Sequence, residues 1–191
     1  ADDMEITLEA NPDDINEEYV QTLRSLTVNR ISMGVQSFDE EDLRFLNRRH
    51  TRTQAIHAVK ICQEAHLYNI SIDLIYGLPG QTLEKWKYNL AEAIRLDIPH
   101  LSAYHLIYEE GTPLYRLLEA GRVTPVSEEA SLLFFRTLID TLSSAGYEHY
   151  EISNFARPGH YARHNSAYWQ GGKYLGLGPS AHSYDGGERE W

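Results

Sequence analysis

Three polar side chains interrupt runs that are otherwise suited to burial. Glu9 lies near the end of residues 5–10 (EITLEA), Gln36 closes residues 30–36 (RISMGVQ), and Asp73 sits inside residues 70–76 (ISIDLIY). Buried parallel strands read as runs of Val, Ile and Leu, and in βα architectures ligands gather where strand C-terminal ends meet the loops. A buried carboxylate with no partner is strongly disfavoured, so Asp73 requires either a ligand or a hydrogen-bonded structural partner. Each residue alone has a plain alternative. Gln36 can cap neighbouring backbone, Glu9 can be solvated, and Asp73 can belong to a structural ion pair. Three polar ends on three successive strands favour one shared pocket.

Other residues carry weaker chemistry. Arg48 and Arg49 stand beside Asn47 and His50. Arginine is the preferred fork for carboxylates, including that of an amino-acid ligand, although paired loop arginines are commonly solvated. Residues 77–82 (GLPGQT) turn into a helix N-terminus, whose free N–H groups suit an anion or a ribose. Cys62 falls on an apolar helix face and reads as a small buried hydrophobe. One thiolate cannot hold an iron–sulfur cluster. His160 and His164 are four residues apart, a spacing that aligns metal ligands on a helix, but Pro158 and Gly159 disfavour a regular helix there. The stretch 160–184 is dense in Gly, Tyr and His. An imidazole among those rings could ligate haem iron or stack on a porphyrin, or the rings could form a packed aromatic corner with His164 bonded to backbone.

The elements that must position these groups follow from pattern. A strand over 5–10 stops at Asn11-Pro12, and helical spacing follows in Ile15, Tyr19, Leu23 and Leu26, with acidic residues at the favourable helix start. A strand over 30–36 leads to a short helix opened by Ser37 and Asp39. A longer helix over about 53–65 turns Ala55, Ile56, Val59, Cys62 and Ala65 inward. The strand 70–76 is followed by a helix capped by Thr82 and carrying Trp86, Leu90, Ala93 and Ile94, then by a strand over 100–107. This alternation predicts right-handed βαβ crossovers and a parallel sheet. The second half predicts a short helix over 112–121, and then an amphipathic helix from Ser127 to Gly146 through Leu132, Phe135, Leu138, Ile139 and Leu142. An extended segment over 147–155 and a tail without clear period complete it. Four βα units are too few for a closed eightfold barrel. A sheet that opens directly on a strand leaves an unpaired edge, so the chain is expected to lack its first strands.

Composition removes several classes. The 191 residues hold 17 Lys plus Arg against 28 Asp plus Glu, a net charge of −11, which argues against a nucleic-acid surface. Hydrophobic residues at 42% suffice for a packed core, and no apolar run approaches the roughly 20 residues of a membrane span. A single cysteine excludes an internal disulfide framework and makes a reducing, cytoplasmic setting the default.

Four segments together carry a family resemblance: residues 8–12 (LEANP), 30–38 (RISMGVQSF), 73–82 (DLIYGLPGQT) and 150–156 (YEISNFA). The chain resembles the oxygen-independent coproporphyrinogen III oxidase family of radical S-adenosylmethionine (SAM) proteins over essentially its whole length. Residues 164–169 (HNSAYW) are similar to the H-N-x-x-Y-W motif of that family's haem-chaperone branch. The resemblance implies an α/β fold: a partial parallel (βα) TIM-type barrel, strands three to six, over residues 1–111. An α+β C-terminal region would begin at residue 112 and run to 191. It implies SAM contacts at Glu9, Gln36, Arg48 and Asp73, with Ile107 near a further one, and a haem region at His164, Tyr168 and Trp169. Asn47 stands where the family's G-R-x-H loop has glycine. The family's C-x-x-x-C-x-x-C loop for a 4Fe–4S cluster is absent, as is the glycine-rich strand end that holds the methionyl group, so this chain alone is expected to be inactive.

Two functions follow from the resemblance. One is a haem chaperone that holds a cluster and SAM and passes haem to recipient proteins. The other is the oxidase itself, which decarboxylates two propionates of coproporphyrinogen III on the way to protoporphyrinogen IX. The chain after Ile107 carries few cations to anchor propionates, which favours the chaperone. A third reading is an α/β piece kept only for its fold.

Overall fold

The computed structural model describes residues 4–190. Two compact units divide the chain, Ala1–His160 and Tyr161–Trp191. The first unit runs β1 (Thr7–Ala10), a 3₁₀ turn (Pro12–Asp14), α1 (Glu17–Ser25), β2 (Arg30–Gln36), α2 (Glu40–Phe45), α3 (Arg52–Glu64), β3 (Ile70–Tyr76), α4 (Leu83–Arg95) and β4 (His100–His105). It continues with α5 (Pro113–Glu119), α6 (Glu128–Ser144), β5 (Glu148–His149) and β6 (Asn154–Ala156). The sheet order is β1-β2-β3-β4-β6-β5. The first four strands pair in parallel, and β6 pairs antiparallel with both β4 and β5.

Helix boundaries sit where side chains satisfy free backbone donors. Asn16, Asp39, Thr82, Thr112 and Ser127 each accept from a first-turn N–H, and Thr51 with Gln54 completes a reciprocal capping box on α3. The strands over 30–36 and 70–76 match expectation to the residue. Three other elements differ. The fourth strand ends at His105, where Leu106 N already donates to Tyr76 O, so Ile107 lies beyond it. The 147–155 segment is a hairpin rather than one extended run, and its second strand joins β4. The helix over 128–144 keeps the expected face at Leu138 and Leu142, which are buried, and at Phe135 and Ile139, which pack against the core. It differs at Leu132, which is half exposed, while Phe134 is buried and its carbonyl accepts the Trp86 Nε1–H at 3.0 Å.

Side chains alternate across a strand, and the register makes the two faces of this sheet different in kind. One face carries Ile31, Met33, Val35, Ile70, Ile72, Leu74, Leu101, Ala103 and Phe155, which pack with Leu23, Val59, Trp86, Leu90, Leu138 and Leu142 in the core. Cys62 is fully buried in the same core. The opposite face is polar: Glu9, Arg30, Ser32, Gly34, Ser71, Asp73, His100, Ser102, Tyr104 and Asn154.

The second unit holds α7 (Arg163–Trp169) and an antiparallel pair, β7 (Ser183–Tyr184) and β8 (Arg189–Glu190). Helix α7 begins after Pro158 and Gly159, and His160 lies outside it. The two histidines therefore do not share a helix face. Within this unit the rings of His164, Tyr168, Tyr174 and Tyr184 follow one another at centroid distances of 4.7, 4.6 and 5.9 Å.

Candidate functional site

The polar face carries two acidic groups, Glu9 near the end of β1 and Asp73 at the middle of β3. Glu9 and Asp73, on strands separated by β2, are close enough for the Glu9 charge to act on the Asp73 carboxyl. Burial pushes Asp73 up to about 6, and Glu9 adds to the rise, while a hydrogen bond from Ser102 and the Arg30 cation oppose it. Tyr104, one row further along the same face, is raised first by burial and then by the carboxylates of Asp73, Glu151 and Glu9, with Ser102 opposing. One row toward the strand starts, His100 bridges Ser71 Oγ and the Tyr150 hydroxyl, at 2.7 Å each, and burial drives it down to about 3, so it is neutral.

Gln36 reaches this face by a local irregularity. Between Met33 and Gln36 strand β2 carries one more residue than β3, so Gln36 pairs with Leu74 instead of following the regular alternation. Its φ of 66° turns the chain, and such bulges re-aim side chains at functional rims. The carboxamide lies over Gly34: a Cβ at that glycine would stand 2.8 Å from Gln36 Nε2 and 3.3 Å from Arg48 Nη2. Only the absence of a side chain at position 34 lets both groups approach the sheet there.

Arg48 arrives from the end of α2. Asn47 N donates to Arg44 O and Arg48 N to Leu43 O, with Asn47 at φ 52°, the left-handed position of a Schellman cap. Asparagine is among the residues that tolerate this conformation. Arg48 Nη2 donates to Asn11 Oδ1 at 2.6 Å and to Gly34 O at 3.1 Å, while its buried Nε has no partner. The neighbouring Arg49 is different: it pairs at the surface with Asp13 and Asp14. His50 is buried and donates Nε2–H to Val35 O at 3.0 Å.

The structure therefore places Glu9 and Asp73 on the same sheet face, two strands apart, and gathers Gln36 and Arg48 over Gly34 on that face. Ile107 lies past the end of β4 and is 71% exposed. His164, Tyr168 and Trp169 belong to α7 of the second unit, with Tyr168 and Trp169 exposed. Sequence reasoning missed Gly34, Asn11, Arg30, Ser102 and Tyr104. The period-2 alternation Ser71, Asp73 and His100, Ser102, Tyr104 could have found the last two. A cleft of about 590 Å³ lies elsewhere, at the opposite end of the strands, lined among others by Lys60, Arg95, Asp97, Arg157 and His160.

The donor set suits an amino-acid nucleoside. Carboxylates accept from ribose hydroxyls or an ammonium, a carboxamide does both, and a guanidinium with an unsatisfied N–H matches a carboxylate. The same residues do not suit an iron–sulfur cluster. Cys62 is the chain's single cysteine, it faces the core, and burial pushes its thiol up to about 12. Among the described residues no group of three or more His, Cys, Asp or Glu could hold a metal ion, and no helix is long and apolar enough to cross a membrane.

Residues 1–93 match the radical SAM superfamily. The chain is 40% identical over 185 residues to the heme chaperone HemW of Lactococcus lactis, covering 97% of this chain and 49% of that protein. It is 38% identical to HemW of Bacillus subtilis over the same shares. Among solved structures, coproporphyrinogen III oxidase (HemN) of Escherichia coli, a radical SAM enzyme, superimposes with a TM-score of 0.78 at 28% identity. That match covers 96% of this chain and 45% of HemN. The chain spans about half the length of the curated relatives it matches.

Proposed function

We propose, from the match of residues 1–93 to the radical SAM superfamily, that the polar face of the sheet binds SAM in a HemW-like haem chaperone. Glu9 and Asp73 would take the ribose hydroxyls and the ammonium. Arg48 would take the methionyl carboxylate, and Gln36 would orient the ligand between them. The observation that carries this reading is the convergence of Gln36 and Arg48 over Gly34, on the sheet face that also carries Glu9 and Asp73. Bound SAM supplies a sulfonium whose reductive cleavage needs an electron from a cluster. The thiolates for that cluster are not among these 191 residues, so no step through it is assigned to them.

Haem belongs to the second part of the proposal. His164, Tyr168 and Trp169 form the candidate haem region, and the ring series from His164 to Tyr184 offers both an imidazole and flat apolar surface. A HemW-like protein would hand haem to recipient proteins in the cytoplasm. The likeness to HemN favours the second reading, coproporphyrinogen III oxidation. Two assays on the product of the complete reading frame separate them. Haem titration followed at the Soret band is expected to show stoichiometric binding that His164→Ala and Tyr168→Ala weaken, with no protoporphyrinogen formed from coproporphyrinogen III. Protoporphyrinogen formation without a Soret change would establish the oxidase instead.

A further inference from the structure

Beneath the Gln36 turn lies a closed set of buried polar groups that none of the proposed ligand contacts uses. Gln36 occupies the left-handed region, which a non-glycine residue keeps only when its surroundings over-determine it. After it, Ser37 N donates to Val35 O at 2.8 Å, and Phe38 N donates to Asn89 Oδ1 at 2.6 Å. Ser37 Oγ stands 2.9 Å from Asp42 Oδ2 and 3.2 Å from Asn89 Oδ1, and accepts from Asp39 N at 3.0 Å. Gln81 Nε2 reaches Asp42 Oδ2 at 3.4 Å, and its Oε1 accepts from Gly77 N. Ser37 and Asn89 are fully buried, and Asp42 nearly so.

Asn89 is the anomalous member. It lies on α4 between Trp86 and Leu90, a face that otherwise contributes apolar bulk to the core. Its Nδ2 is buried with no partner, so the side chain gives up hydrogen bonding on one end to deliver a carbonyl on the other. That carbonyl meets the backbone two residues after Gln36. We propose that Asn89 is a positioning residue: by accepting the Phe38 N–H it holds the Gln36 turn in the left-handed conformation that aims the carboxamide across Gly34 at the ligand. This rests on the SAM reading of Gln36.

The test is a double-mutant cycle on SAM affinity, measured by calorimetry with the product of the complete reading frame. Gln36→Ala and Asn89→Leu are each expected to weaken SAM binding about tenfold, and the double variant no further than either alone, because both remove one function. Asn89→Leu combined with Arg48→Ala is expected to be additive. If Gln36→Ala leaves affinity unchanged, the SAM reading fails and takes the inference with it. If Gln36→Ala weakens binding but Asn89→Leu does not, or the two add fully, the inference alone is overturned. Should Asn89→Leu not fold, Ser37→Ala removes one hydroxyl from the same turn and completes the cycle with the same expectations.

Discussion

Replacing Asp73 with asparagine isolates what the partly buried carboxylate costs the fold. The group sits at about 6 in the folded chain against 3.8 when exposed, a rise caused first by burial and then by Glu9. Because its folded value is raised, the folded state binds more protons than the unfolded state between these limits. Stability from this group is therefore present below about pH 4 and lost as the pH climbs through 6. Two pH units correspond to about 3 kcal/mol. Asparagine has the same shape and no charge, and the Ser102 hydroxyl can donate to its amide oxygen. Asp73→Asn is thus expected to match the native chain at pH 4 and exceed it by about 3 kcal/mol at pH 8, a melting difference of about 6–12 °C for a chain of this size. His100 titrates in the same range with the opposite sign, so the quantity to follow is the difference between variant and native chain across pH, by urea unfolding. SAM affinity should fall in the same variant. A variant less stable than the native chain at pH 8, or a difference that does not change between pH 4 and 8, would refute the reasoning.

Other outcomes follow from the same geometry. Gly34→Ala places a Cβ 2.8 Å from Gln36 Nε2 and 3.3 Å from Arg48 Nη2, both free ends of flexible side chains that must move aside, so SAM affinity is expected to drop about tenfold or more while urea unfolding shifts by less than about 1 kcal/mol. His100, driven down to about 3, must charge when the chain unfolds in acid. Its contribution is complete above pH 6.5 and declines as the pH falls toward 3, so the margin of the native chain over His100→Gln should shrink by about 1.4 kcal/mol per pH unit below 6.5. Trp86→Ala empties the α4–α6 interface and leaves Phe134 O without its donor, which should cost about 3–5 kcal/mol by denaturant titration. The purified 191-residue chain, with one buried cysteine, should release no 5′-deoxyadenosine from SAM under dithionite; its appearance would overturn the assignment of cluster chemistry outside this chain.

Much of the fold was legible because local rules agree with the global arrangement. The strands Arg30–Gln36 and Ile70–Tyr76 are apolar runs bounded by turn residues, Thr82 caps the helix it was expected to cap, and the helix expected to start at Ser127 is capped by that residue. The burial of Phe134 in place of Leu132 on α6 was not legible, since both are apolar and the contact with the Trp86 indole is distant in sequence. Glu9, Gln36 and Asp73 announced themselves as polar residues in apolar strands. Gly34 did not, because its role is to be absent from a space that Gln36 and Arg48 fill. Nor did Asn89, whose partner lies 51 residues earlier in the chain. The bulge before Gln36 depends on pairing with β3 and has no local code.

The most direct measurement is a structure of the product of the complete reading frame with SAM bound. The nucleoside should lie across the C-terminal ends of the strands, within hydrogen-bond distance of Glu9, Gln36, Arg48 and Asp73. Density for SAM in the cleft beside Arg157 and His160, at the other end of the same strands, would contradict it.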